Sequence, residues 1–141
     1  MAMLTDITTE ILSYIKSDTP SVITLRGTLG AGKTHLVSHI AEALEIPQKI
    51  QSPTFTLLQT YAIPSHPTKK TLIHCDFYRI DEDKAAETLE QIGFWDYLTP
   101  DSVIFIEWPE KLGSLLLNTP ALHINIAHNL EDNVRNYTIY A

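Results

Sequence analysis

Residues Gly27-Thr28-Leu29-Gly30-Ala31-Gly32-Lys33-Thr34 have the spacing G-x-x-x-x-G-K-[ST], that of a phosphate-binding loop of nucleoside-triphosphate-binding proteins. A phosphate chain carries several negative charges, and each must be matched by a donor or a cation. Glycines lack Cβ atoms, so the backbone from Gly27 through Gly30, Ala31 and Gly32 can curl until successive N–H groups face one concavity. A helix that starts there adds the positive end of its dipole. Lys33 then reaches the outer phosphates, and the Thr34 hydroxyl can ligate Mg²⁺.

Such a loop needs acids to hold the metal or its waters, usually at the carboxyl ends of neighbouring strands. Asp76 follows Leu72-Ile73-His74-Cys75, and Glu107 follows Val103-Ile104-Phe105-Ile106. An acid closing an apolar strand is costly unless something there uses it. The plainer alternative is a helix cap or a surface acid. We expect Glu107 and Thr34 to serve the Mg²⁺ site and Asp76 to orient or activate the attacking water, roles that the two acids could exchange on sequence grounds. Thr54, after Pro53, is either a switch contact that senses the terminal phosphate or a turn hydroxyl. His74 reads as a proton shuttle or, preferably, a satisfied core group. Trp108 either stacks on the nucleotide or fills space, and Cys75, with no CxxC partner, reads as a buried small residue.

These groups need a scaffold. Val22-Ile23-Thr24-Leu25 predicts a buried strand before the loop, and Leu36, Val37, Ile40, Ala41 and Leu44 predict a helix after it, ending near Pro47. Upstream, Ile7, Ile11, Leu12 and Ile15 predict a helix capped by Thr5 or Asp6 and ended by Asp18-Thr19-Pro20. Phe55, Leu57, Gln59, Tyr61 and Ile63 alternate as in a strand, and Thr71–Cys75 forms another. Only seven residues separate them, so an antiparallel hairpin is expected. Ala85, Leu89 and Ile92 mark a short helix stopped by Gly93. Phe94-Trp95-Asp96-Tyr97-Leu98 is a core plug or a partner contact. Residues 103–106 predict a strand buried on both faces, residues 111–117 a short helix, and Leu122, Ile124, Ile126 and Tyr137, Ile139 two closing strands around the loop 128–133.

A chain of 141 residues suits one domain, and residues 1–141 read as one. The formal net charge of −7 argues against a DNA-gripping surface, which needs clustered Lys and Arg. The adjacent pair Lys69-Lys70 reads as part of a solvated loop. A single cysteine suits a reducing compartment. No apolar run reaches membrane-spanning length and no signal peptide is evident, so a cytoplasmic protein without a membrane partner is expected.

Together, Gly27–Thr34, Ser52-Pro53-Thr54-Phe55-Thr56-Leu57, His74-Cys75-Asp76-Phe77-Tyr78-Arg79 and Ile106-Glu107-Trp108-Pro109-Glu110 resemble the TsaE (YjeE) family in order and spacing. The resemblance covers nearly the whole chain, and the second to fourth motifs are more specific than the first. It implies a P-loop NTPase three-layer α/β sandwich with a mixed sheet of parallel and antiparallel strands flanked by helices. It also implies a weak Mg²⁺-dependent ATPase working with TsaB- and TsaD-like proteins in threonylcarbamoyladenosine modification of tRNA anticodon loops, touching tRNA through the complex. On that resemblance Gly30 to Thr34 bind the ATP phosphates, Thr34 and Glu107 bind Mg²⁺, Thr54 lies in a switch-like segment, Asp76 is needed for hydrolysis, and Trp108 lies near the nucleotide. The arginine expected in the C-terminal strand is Arg135, which the resemblance counts with His35 among the nucleotide-binding residues. Thr28 and His35 stand where the family usually has Asp and often has Thr, both beside the phosphate-cradling backbone. Two other readings compete. A small-molecule kinase would want several arginines in a lid, and only Arg26, Arg79 and Arg135 exist. A nucleotide-binding adaptor without turnover would use ATP only to change shape.

Overall fold

The computed structural model describes residues 3–53 and 55–140. Among them, six strands build one sheet: β1 (Ser21–Arg26), β2 (Leu58–Ala62), β3 (Thr71–Asp76), β4 (Ser102–Glu107), β5 (Leu122–Asn129) and β6 (Val134–Tyr140). Their order is β2-β3-β4-β1-β5-β6. Strands β3, β4, β1 and β5 run parallel, and antiparallel β2 and β6 close the two edges. All six residues of β4 are buried, as an unbroken Val-Ile-Phe-Ile run requires when both sheet faces are covered.

Successive strand residues point to opposite faces, so each strand feeds two cores. On one face Ile23, Leu25, Leu72, Val103, Phe105, Ile124 and Ile126 meet Ile7, Ile11 and Ile15 from α1 (Leu4–Tyr14) and its end, and Leu36, Val37 and Ile40 from α2 (Lys33–Ala43). On the other, Val22, Ile73, Cys75, Ile104 and Ile106 meet Ala85 and Leu89 from α3 (Ala85–Gln91), with Phe77, Phe94 and Leu112. Each fully buried Ile, Leu or Phe contributes about 1.5–3 kcal/mol. The result is a three-layer α/β P-loop sandwich with a mixed sheet. Phe94 plugs the second core, edge-on to both Phe77 and Trp95.

Several local expectations give way to tertiary structure. The first helix starts at Leu4, with Met3 rather than Thr5 or Asp6 at its cap, and the Asp6 carboxylate accepts a hydrogen bond from the Met3 N–H. Strand β2 begins at Leu58, because Leu57 adopts φ 64° and its N–H turns back to the Pro53 carbonyl; Phe55 is left 90% exposed. Residues 111–117 form no α-helix; a 3-10 segment, Pro109–Leu112, takes the start of that stretch. The last hairpin is longer than its alternation suggested, β5 running to Asn129.

The largest correction concerns Lys69, which is fully buried rather than solvated. Its Nζ donates to the carbonyls of Thr19 (2.6 Å) and Pro100 (2.7 Å), tying the segments before β1 and β4 to the β2–β3 connection. Burial pulls its pKa below the ordinary lysine value, while Asp18 and Asp101 pull it back up. Lys69→Met would leave two inward carbonyls without their donor. The expected destabilisation is about 1–3 kcal/mol in urea unfolding, and an unchanged midpoint would show that water replaces the ammonium at no cost. No helix among the described residues is long and apolar enough to cross a membrane.

Candidate functional site

Three parallel strands, β3, β4 and β1, end at one level. Asp76 pairs with Glu107 across β3 and β4, and Leu25 pairs with Glu107 across β1 and β4. The loop 27–32 leaves β1 there and delivers the chain into α2. Gly27 passes so close to β5 that a Cβ would lie 2.8 Å from the Ile126 carbonyl oxygen. Gly32 takes φ 108° and caps α2, with no side chain bonded to the helix N-terminus. The first N–H groups of α2 are therefore left to whatever anion the loop receives.

A Cβ on Gly32 would also meet the Arg135 guanidinium, 2.5 Å from Nε. Gly32→Ala combines that clash with a left-handed backbone. It should lower stability by about 1–3 kcal/mol in urea unfolding, and a variant as stable as the parent would contradict this crowding.

The cleft at these strand ends has a volume of about 300 Å³ and is lined by Leu29, Gly30, Ala31, Gly32, Lys33, Thr34, His35, Ser52, Asp76, Tyr78, Glu107 and Trp108. Lys33 is held inside it. Its Nζ donates to the carbonyls of Gly27 (2.6 Å) and Thr28 (3.0 Å) and lies 4.3 Å from the centre of the Trp108 ring. Burial lowers the lysine pKa, and Glu107, Glu110 and Asp76 oppose that shift. Trp108 sits at φ 61°, a left-handed conformation that is strained for a bulky residue, and its ring packs 4.9 Å from that of Tyr78.

The two acids are anchored differently. Glu107 is buried, and its Oε2 accepts from the Thr34 hydroxyl (2.7 Å) and from His74 Nε2 (2.5 Å). Asp76 is half-buried; its Oδ1 accepts from the Tyr78 N–H and its Oδ2 from the Ser52 hydroxyl, both at 3.0 Å. Its carboxylate orientation is thus set from two sides.

Of the expected site residues, Gly30, Ala31, Gly32, Lys33, Thr34, His35, Asp76, Glu107 and Trp108 meet in one cleft. Gly27 borders a neighbouring cleft instead, with Arg26, Asn125 and His128. Arg135 stands behind the loop, its Nε donating to the Ala31 carbonyl (3.0 Å). Thr54 lies outside the described residues. Residue types alone give no hint of the acceptor that Arg135 takes.

The donor set also bears on a metal. Among the described residues no three or more His, Cys, Asp or Glu side chains gather into a ready-made metal cage. Two carboxylates and a hydroxyl at the loop are hard oxygen ligands. They fit Mg²⁺, which binds through one or two carboxylates together with substrate phosphates.

The family model for "Threonylcarbamoyl adenosine biosynthesis protein TsaE" matches residues 2–137. The chain belongs to the TsaE family. It is similar to the protein named tRNA threonylcarbamoyladenosine biosynthesis protein TsaE of Haemophilus influenzae, 34% identical over 132 residues that cover 94% of this chain and 77% of that one. The TsaE of Aquifex aeolicus is 34% identical over 133 residues, 93% of this chain and 84% of that one. The TsaE of Treponema pallidum is 40% identical over 96 residues, 68% of this chain and 65% of that one. Within this TsaE-family chain, two partners of the acids went unread in the sequence: Ser52, which holds Asp76, and His74, which holds Glu107. One signal was available for the second. His74 and Asp76 lie two apart on β3 and so share its face.

Proposed function

We propose that this chain binds ATP with Mg²⁺ and hydrolyses it weakly, as an accessory protein in the synthesis of threonylcarbamoyladenosine in tRNA. In this reading it acts in the cytoplasm with TsaB- and TsaD-like proteins and reaches tRNA through them, and hydrolysis resets the complex between turnovers. The observation that carries the reading is the Thr34–Glu107 hydrogen bond at the mouth of the loop, with Asp76 on the adjoining strand end. A hydroxyl that donates to a carboxylate keeps its lone pairs for a cation, and the two together are a hard-oxygen seat beside the phosphate cradle.

The N–H groups of Gly30, Gly32, Lys33 and Thr34 and the Lys33 ammonium would hold the phosphates, while the Ala31 N–H closes the loop onto the Thr28 carbonyl (3.0 Å). Thr34 and Glu107 would hold Mg²⁺, which would supply neutralisation of the phosphate charge. Water attacks the γ-phosphorus, the bond to the β–γ bridging oxygen breaks, and ADP and inorganic phosphate leave. Asp76 orients that water and accepts its proton. Its two fixed hydrogen bonds keep the carboxylate from turning away. Trp108 and Lys33 share one face of the cleft, so the ring limits water around the ammonium.

Phosphate release, measured with the chain alone and with TsaB- and TsaD-like proteins, tests the proposal. Slow release that rises with the partners supports it. No release under either condition would leave a nucleotide-binding adaptor.

A further inference from the structure

We propose that His74 is a positioning residue that fixes the Glu107 carboxylate for the metal-bound nucleotide, an inference that rests on the reading of the cleft given above. His74 is fully buried and does not line the cleft, so it cannot touch a ligand there. Its Nε2 lies 2.5 Å from Glu107 Oε2, the same oxygen that accepts from the Thr34 hydroxyl. Both donors crowd onto Oε2, and Oε1 has none among the described residues. The pair therefore locks the carboxylate about its terminal torsion and leaves one oxygen open to an ion or its water.

The second ring nitrogen argues that this bond is what the histidine is for. Nδ1 is buried with no hydrogen-bond partner among the described residues. A histidine kept only to fill the core would do better as an apolar side chain of similar size, because an unpartnered buried polar atom costs stability. An ionised carboxylate only accepts, so Nε2 is the donor in this bond. The topology makes the contact. Parallel register sets Asp76 beside Glu107, and His74, two residues earlier on the same face of β3, reaches the carboxylate from behind. Thr34 approaches from α2, so the acid is gripped from two elements. Hydrogen bonds behind a metal-binding group orient it and raise its affinity for the metal.

Calorimetry with a non-hydrolysable ATP analogue, in Mg²⁺ and in EDTA, tests this on the wild type, His74→Leu and His74→Gln. The Gln amide nitrogen can occupy the place of Nε2, and Leu offers no donor. His74→Leu should bind about tenfold more weakly in Mg²⁺ and as well as the wild type in EDTA. His74→Gln should recover most of the loss. Equal Mg²⁺ dependence in His74→Leu and the wild type would overturn the proposal, and so would a Gln variant as impaired as Leu. Should circular dichroism show that the Leu variant does not fold, His74→Asn takes its place, since its amide stops one methylene short. A wild type that does not bind the analogue at all would instead bring down the nucleotide reading, and the positioning role with it.

Discussion

Asp76→Asn should bind ATP with near-normal affinity and lose roughly 10²–10⁴-fold in phosphate release, the range over which a positioned acid or base acts. The asparagine keeps the shape of the side chain, and its carbonyl oxygen can still accept from the Tyr78 N–H. What it removes is the ability to take a proton from water. Asp76 lies at the end of β3, one strand beyond Glu107, and its carboxylate has no hydrogen bond to Thr34. Affinity and turnover should therefore separate in this variant. The measurement is phosphate release in the presence of the partner proteins, beside calorimetry with ATP. Undiminished release would remove Asp76 from the chemistry and leave it as a cap for the turn at Tyr78.

Lys33→Ala should cost at least about 2–3 kcal/mol of nucleotide affinity, the worth of a charge-assisted contact to phosphate in a partly closed cleft. Its effect on folding should be small. The carbonyls of Gly27 and Thr28 that now hold the ammonium lie in an open loop, where water can replace it. The ring of Trp108 would lose its cation but keep its packing against Tyr78. The wild type should melt at a higher temperature when ATP and Mg²⁺ are added, and Lys33→Ala should not. An equal rise in both proteins would mean that the lysine serves the loop and not the ligand.

The parts of the site that are contiguous in sequence were legible in it. The loop 27–34 is one stretch, and its glycines report backbone demands that local spacing shows directly. Gly32 at φ 108° is a case in point. Asp76 and Glu107 were readable because each ends an apolar run, and a strand end is where such an acid makes sense. What remained hidden depends on register between distant segments. His74 reaches Glu107 only because β3 and β4 are parallel with Cys75 beside Ile106. Lys69 is buried because Thr19 and Pro100, 50 and 31 residues away, turn their carbonyls toward it. A basic pair in a proline-bounded loop carries no trace of that. The alternation starting at Phe55 misled for a different reason. A period of two assumes extended backbone throughout, and the left-handed Leu57 breaks it just before β2 starts. Arg135 fell in the expected strand, yet it supports the loop from behind through the Ala31 carbonyl.

Titrating the chain with ATP in a calorimeter, with Mg²⁺ present and Lys33→Ala run beside it, bears most directly on the claim that the cleft between β1, β3 and β4 is a nucleotide seat. Saturable heat from one ATP per wild-type chain, with a flat trace from the variant, is the predicted result. A flat trace from both, or equal binding by both, would contradict it.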